Sequence, residues 1–261
     1  MIIARARVHV PASTSNLGGG FDCVGMAVDL WLTASVAVGN EPSPLTVDRA
    51  GTLDAVTCDP AHDLLAEGFL AACARAGRAM PPSLAFSATS TIPVARGLGS
   101  SAAALVAGAA LADAALELGL GVHGIATLIS QVEGHPDNAS PAAFGGAMLG
   151  VANNDATPDT PCTYAFSRLP VHESLAFVFA IPPLEVTTAA ARAVLPSHVS
   201  FGDAVRVVQR SAALTHGLAT GEPALLSRAL DDVLHVPYRR QLVPGYDAVV
   251  AAACAAGAFG G

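Results

Sequence analysis

Positive charge is scarce in this sequence. Thirteen basic side chains stand against 21 acidic ones in 261 residues, a net charge of -8. No stretch gathers enough of them to neutralise a polyphosphate backbone, so no nucleic-acid partner is expected. The five cysteines, Cys23, Cys58, Cys73, Cys162 and Cys254, are odd in number and scattered, with no C-x-x-C pair or other metal-ligand spacing. They read as reduced thiols of a cytoplasmic protein. No secretory leader is expected, because Arg5 and Arg7 interrupt the opening apolar residues. The most apolar stretch, 102–122, carries Asp113 and Glu117 inside it and Gly119 and Gly121 near its end, which fits a buried helix and not a membrane span. What remains is a chain that is 52% hydrophobic and 13% charged, able to bury a large core in one domain or two.

The periodicities mix strands with helices. Residues 4–10 alternate small or apolar with polar types, the pattern of a half-buried strand that Pro11 is expected to end, followed by a loop to Gly20. Further strands are expected at 31–38, 45–48, 83–90, 147–152 and, strongly apolar, 175–181. Helical patterns cover 64–77, the alanine-rich run from 102, 124–133, 188–195, 202–218, 223–230 and 245–256. The polar, proline-containing stretch 153–161 is the linker candidate. These alternations imply a two-layer α+β arrangement.

Chemistry concentrates where a strand runs through Pro93 into Gly97-Leu98-Gly99-Ser100-Ser101 and on into the alanine-rich helix. Glycines permit close backbone approach, and the first amides of a helix have no partner within it. Together with the positive end of the helix dipole they suit a di- or triphosphate. A serine N-cap on an ordinary core helix would look similar over a shorter string. The loop between this strand and helix is neither a Walker A sequence nor Gly-x-Gly-x-x-Gly, which removes the main support for P-loop NTPases and dinucleotide-binding folds.

The string from Pro93 to Ala103 resembles the second motif of the GHMP small-molecule kinases, Pro-x-x-x-Gly-Leu-Gly-Ser-Ser-Ala-Ala. Val10-Pro11-Ala12-Ser13-Thr14-Ser15-Asn16-Leu17-Gly18-Gly19-Gly20-Phe21-Asp22 is similar to the homoserine kinase signature within that superfamily. Glu133-Gly134-His135-Pro136-Asp137-Asn138 and the stretch Leu234-His235-Val236-Pro237-Tyr238-Arg239 resemble two more segments of the same family, in the same order.

The resemblance implies a two-domain GHMP kinase fold, with a ribosomal protein S5 domain 2-like N-terminal domain at 1–160. A ferredoxin-like C-terminal domain, incomplete here, would occupy 161–261. It implies ATP-dependent phosphorylation of the side-chain hydroxyl of L-homoserine in threonine biosynthesis, with Mg2+, by a homodimer. ATP would lie on Pro93, Val94, Ala95, Arg96, Gly97, Leu98, Gly99, Ser100, Ser101, Ala102 and Ala103. The magnesium carboxylate would be Glu133, sharing the ion with Ser100. By the same likeness Asp22 pairs the substrate ammonium and Arg192 and Arg239 its carboxylate, with Asn16, His135 and Asn138 around them. The chemistry agrees, since both charges of a zwitterion need partners once drawn out of water.

Phosphoryl transfer through a loose transition state can rest on positioning and charge neutralisation, without a strong base. Asn138 fits the asparagine that the homoserine branch places near the acceptor, with Glu133 as the second catalytic candidate and Asp137 as the carboxylate to test against it. Two departures stand out: Ala61-His62-Asp63-Leu64 replaces the asparagine that often precedes the helix, and the sequence stops before the third motif, Ser-Gly-x-Gly-Pro. A chain so shortened is expected to leave a strand edge and apolar helix surface uncovered. Another GHMP kinase, or a non-catalytic binding fragment, is the alternative.

Overall fold

The structure, a computed structural model, describes residues 1–153 and 162–261. Two long strands, β1 (Ile2–Asn16) and β2 (Gly20–Gly39), form an antiparallel hairpin at its centre. β3 (Thr46–Gly51) runs parallel to β4 (Ser83–Ser90), and β4 pairs with the second half of β2. β5 (Ala147–Asn153) pairs with the first half of β2 and with β6 (Thr163–Leu169). The six strands make one sheet in the order β3-β4-β2-β5-β6, with β1 against β2.

The expected alternation is visible in β1, where Ala4, Ala6 and Val8 are half-buried and Arg5, Arg7 and His9 exposed. Pro11 does not end the strand. It sits, buried, opposite Trp31 at a register shift between residues 11 and 12, where a residue without an N–H is tolerated, and β1 continues to Asn16 in place of the expected loop.

Helices α1 (Leu64–Arg75), α2 (Ser100–Leu116), α3 (Gly121–Glu133) and α4 (Ala139–Phe144) pack on the sheet around the main core. Phe69 of α1 meets Phe86 of β4 edge-on at 5.6 Å. α2 is apolar nearly all round, which suits a helix enclosed by α1, α3 and the hairpin. The C-terminal segment contributes α5 (Thr188–Ala193), α6 (Phe201–Thr220), α7 (Pro223–Leu230), α8 (Val236–Arg239) and α9 (Tyr246–Ala255). Leu214 and Leu218 of α6 and Leu226 and Ala229 of α7 pack on Val24, the second, smaller core.

Residues 175–181 form no strand, contrary to the sequence pattern. A strand needs a ladder partner; among the described residues none pairs with this segment, and Phe177, Val178, Phe179 and Ile181 are exposed. Strand β6 and helices α4 and α8 were not legible in the pattern. The expected linker and the boundary at residue 160 fall almost wholly within 154–161, outside the described residues.

Candidate active site

A cleft of about 800 Å³ opens between the glycine loop, the β1–β2 turn, residues 45–65 and the C-terminal helices. Its lining includes Asn16, Asp22, every residue from Val94 to Ser101, His135, Asn138, Arg192 and Arg239. Of the residues expected to hold nucleotide, Ala102 and Ala103 instead turn their side chains fully into the core. Glu133 and Pro93 are not in the lining either.

Gly99 caps α2 in the left-handed region (φ 66°), with no side chain closing the helix end, so the first amides of α2 are left without intrahelical acceptors. Only glycine fits: a Cβ there would lie 2.1 Å from Ser13 Oγ. Ser13 accounts for the loop's position, since its backbone N–H donates to Leu98 O (3.2 Å) and its hydroxyl to Asn138 Oδ1 (3.0 Å). One buried serine thus ties the phosphate-type loop to the asparagine expected beside the acceptor. That bond uses the acceptor end of the Asn138 amide and leaves its NH2 for a ligand. Ser13 was quoted in the opening motif, but its role is visible only in three dimensions.

The β1–β2 turn is strained: Asn16 (φ 72°), Leu17 (φ 45°) and Asp22 (φ 56°) all occupy the left-handed region although none is glycine. Asn16 Oδ1 accepts the backbone N–H of Asp22 at 3.0 Å and so holds that carboxylate in place. Asp22 and Arg192, 170 residues apart, meet as a bidentate pair at 2.9 and 3.1 Å. Arg239 Nε donates to Ala191 O (2.9 Å), and its guanidinium lies 5.0 Å from the Phe21 ring centre. Burial, and then the neighbouring Arg192 cation, lower the Arg239 pKa. Phe21 stacks on His235 at 4.8 Å, and His235 is fixed by Gly18 O and by Asp232. Phe21, Asp232 and His235 were not singled out from sequence, because their work is to hold other residues.

His135 and Asp137 are both buried and bonded at 2.5 Å. Burial works against a charged His135, but the hydrogen bond and charge of Asp137, aided by Glu133 and Asp22, outweigh it and raise the pKa. Asp22, His135 and Asp137 place ligand-type atoms within 4.8 Å of one another. Glu133 is buried enough that desolvation raises its pKa to about 7, against the opposing pull of His135 and of a hydrogen bond from Ser101. Its Oε2 is buried and has no hydrogen-bond partner among the described residues. A carboxylate so left unsatisfied beside a hydroxyl fits a divalent cation. The hydroxyl at Glu133 is that of Ser101, one residue beyond the expected Ser100, which lines the cleft beside it.

Comparison with known proteins bears on the family and the fold. Residues 64–146 match the family "GHMP kinases N terminal domain". The chain is 38% identical over 256 residues to homoserine kinase of Picosynechococcus sp., covering 97% of this chain and 81% of that protein. It is 39% identical to a homoserine kinase of Thermus thermophilus, with 97% and 81% covered. Among solved structures, homoserine kinase of Cytophaga hutchinsonii superposes with a TM-score of 0.79 at 26% identity, covering 100% of this chain and 82% of that one. L. major mevalonate kinase shares the fold alone, at 13% identity and a TM-score of 0.67, with 100% and 85% covered.

Proposed function

The chain belongs to the homoserine kinase family of the GHMP kinases, and from that premise we propose that its cleft moves the terminal phosphoryl group of ATP onto the side-chain hydroxyl of L-homoserine, yielding O-phospho-L-homoserine. The observation that carries this reading is the Asp22–Arg192 pair with Arg239 lining the same cleft as the glycine loop. Both signs of charge stand ready there, as an amino acid's ammonium and carboxylate require.

In this reading the free amides at the start of α2 hold phosphate oxygens, and Arg96, on the same loop, supplies positive charge. Asp22 takes the ammonium, while Arg192 and Arg239 take the carboxylate through their planar forks. Asn138, aligned by Ser13, donates its amide hydrogens at the acceptor hydroxyl and positions it. His135 stays bonded to Asp137, which restrains both groups beside the substrate. Glu133 and Ser101, with Ser100 adjacent, would hold Mg2+; when bound, the ion neutralises charge on the phosphates. No side chain here needs to act as a strong base, because a loose transition state develops little charge on the attacking oxygen.

The same reading describes a cytoplasmic homodimer in two parts divided near residue 160, with no nucleic-acid or membrane partner. The net charge of -8 speaks against a nucleic-acid partner, and among the described residues no helix is long and apolar enough to cross a membrane. A coupled ADP assay with Mg2+-ATP and a panel of L-homoserine, mevalonate and sugars tests the substrate. Saturable ADP release with homoserine alone is expected; turnover of another acceptor, or binding of both ligands by calorimetry without turnover, would reject it.

A further inference from the structure

Arg192 and Arg239 share one aromatic ring. The guanidinium carbon of Arg239 lies over Phe21 at 5.0 Å from the ring centre, and that of Arg192 over the same ring at 6.0 Å. At such distances the negative face of a ring attracts a cation. His235 stacks on the ring as well, at 4.8 Å and 24°. Burial lowers the His235 pKa, which favours its neutral form and keeps a third positive charge from the cluster.

The two cations are unequally satisfied. Arg192 is paired with Asp22 through two hydrogen bonds. Arg239 donates Nε to Ala191 O and makes no ion pair among the described residues. Two guanidiniums this close repel each other, and an ammonium that draws on Asp22 takes from Arg192 part of its own neutralisation. The partner both then keep is the Phe21 ring. Asp22, the residue after it, lines the cleft, whereas Phe21 does not. Leucine would fill that place as an apolar side chain; only an aromatic one offers a face to two cations.

We propose that Phe21 is a positioning residue whose ring holds two guanidiniums close enough to share one carboxylate, so that the cleft selects acceptors carrying a carboxylate over neutral ones. The inference rests on the kinase reading above and concerns acceptor selectivity. It gives that selectivity to a side chain outside the cleft lining, acting through Arg192 and Arg239.

Phe21→Leu keeps the apolar bulk and removes the ring, while Phe21→Tyr keeps the ring. Both are compared with the unaltered protein in the coupled ADP assay, using L-homoserine and L-homoserine amide. The amide has the same ammonium and hydroxyl but no carboxylate. Losing two cation–ring contacts at a half-buried place should raise the KM for homoserine about 5- to 30-fold in Phe21→Leu, with kcat and the calorimetric Kd for Mg2+-ATP within about twofold. The kcat/KM for the amide should change less than about twofold, because a neutral group gains little from paired cations, and the preference for homoserine shrinks accordingly. Phe21→Tyr should bring the KM back to within about threefold of the parent. An unchanged KM in Phe21→Leu, an equal fall in kcat/KM for the amide, or a tyrosine variant as impaired as the leucine one overturns the assignment and leaves the kinase reading intact. No turnover of homoserine by the unaltered protein would overturn both.

Discussion

At the scale of single residues, the candidate site is a set of charges held by one another in an open cleft. Asp22 and Arg192 satisfy each other at 35% and 38% side-chain exposure, so the pair is accessible and its exchange for a zwitterion exposes no stranded charge. Asp22→Ala should raise the KM for homoserine about 10- to 100-fold, the worth of a charge-assisted bond, and leave the ATP affinity measured by calorimetry within about twofold. An equal loss of nucleotide affinity would show that the two subsites are not separate. Glu133 makes a prediction of opposite character. Its pKa, raised to about 7 by burial, exceeds the unfolded value of 4.5, so the folded state binds more protons than the unfolded one between those limits. Stability of the ligand-free protein should therefore fall as pH rises from about 5 to 8. His135, whose pKa is also raised, adds to the same trend. Glu133→Gln isolates the carboxylate: thermal denaturation should show a smaller decline with pH and a higher Tm than the parent at pH 8, together with weaker stabilisation by Mg2+-nucleotide. A parallel decline in both proteins would contradict the assignment.

At the scale of elements, the functional side chains are placed by short, irregular pieces braced against the regular ones. Gly25 of β2 lets the His135–Asn138 turn pack directly on the hairpin, since a Cβ there would meet Asp137 O at 1.6 Å. α8 has only four residues and cannot hold Arg239 by itself. Asp232 does much of that work: its buried Oδ2 accepts the N–H groups of Leu234, His235 and Val236 at 3.1, 2.7 and 2.8 Å. Asp232→Ala should cost about 1–3 kcal/mol in urea denaturation. It should also raise the KM for homoserine severalfold with little change in ATP affinity, because His235, Phe21 and Arg239 lose their support in turn. Asp232→Asn, which keeps an acceptor oxygen, should recover most of both.

At the scale of the whole molecule, the chain has no lysine; all 13 of its basic residues are arginine. In the proposed reading, phosphate binding thus falls to backbone amides and arginines, and not to a P-loop lysine. The outer surface of the C-terminal segment is unusually apolar, with Val178 94% and Phe201 86% exposed and Val208 70%. Such a surface promotes self-association. Val178→Lys with Phe201→Lys should lower light scattering at high protein concentration and leave the Kd for Mg2+-ATP unchanged; unchanged scattering would show that association occurs elsewhere. By itself the sequence determined the family, through four ordered motifs, and the strand–loop–helix around Gly97 and Gly99, because glycine tolerance and helix-end chemistry are local. It also determined most helices, whose bonds close within the segment. It could not determine that β1 runs past Pro11, that 175–181 pairs with no strand among the described residues, or that Ser13 joins the glycine loop to Asn138. Those outcomes depend on which distant segment supplies a ladder partner or a hydrogen-bond acceptor. The same holds for Arg49, which meets Asp63 and Cys58, 14 and 9 residues away in sequence, only once the chain folds back.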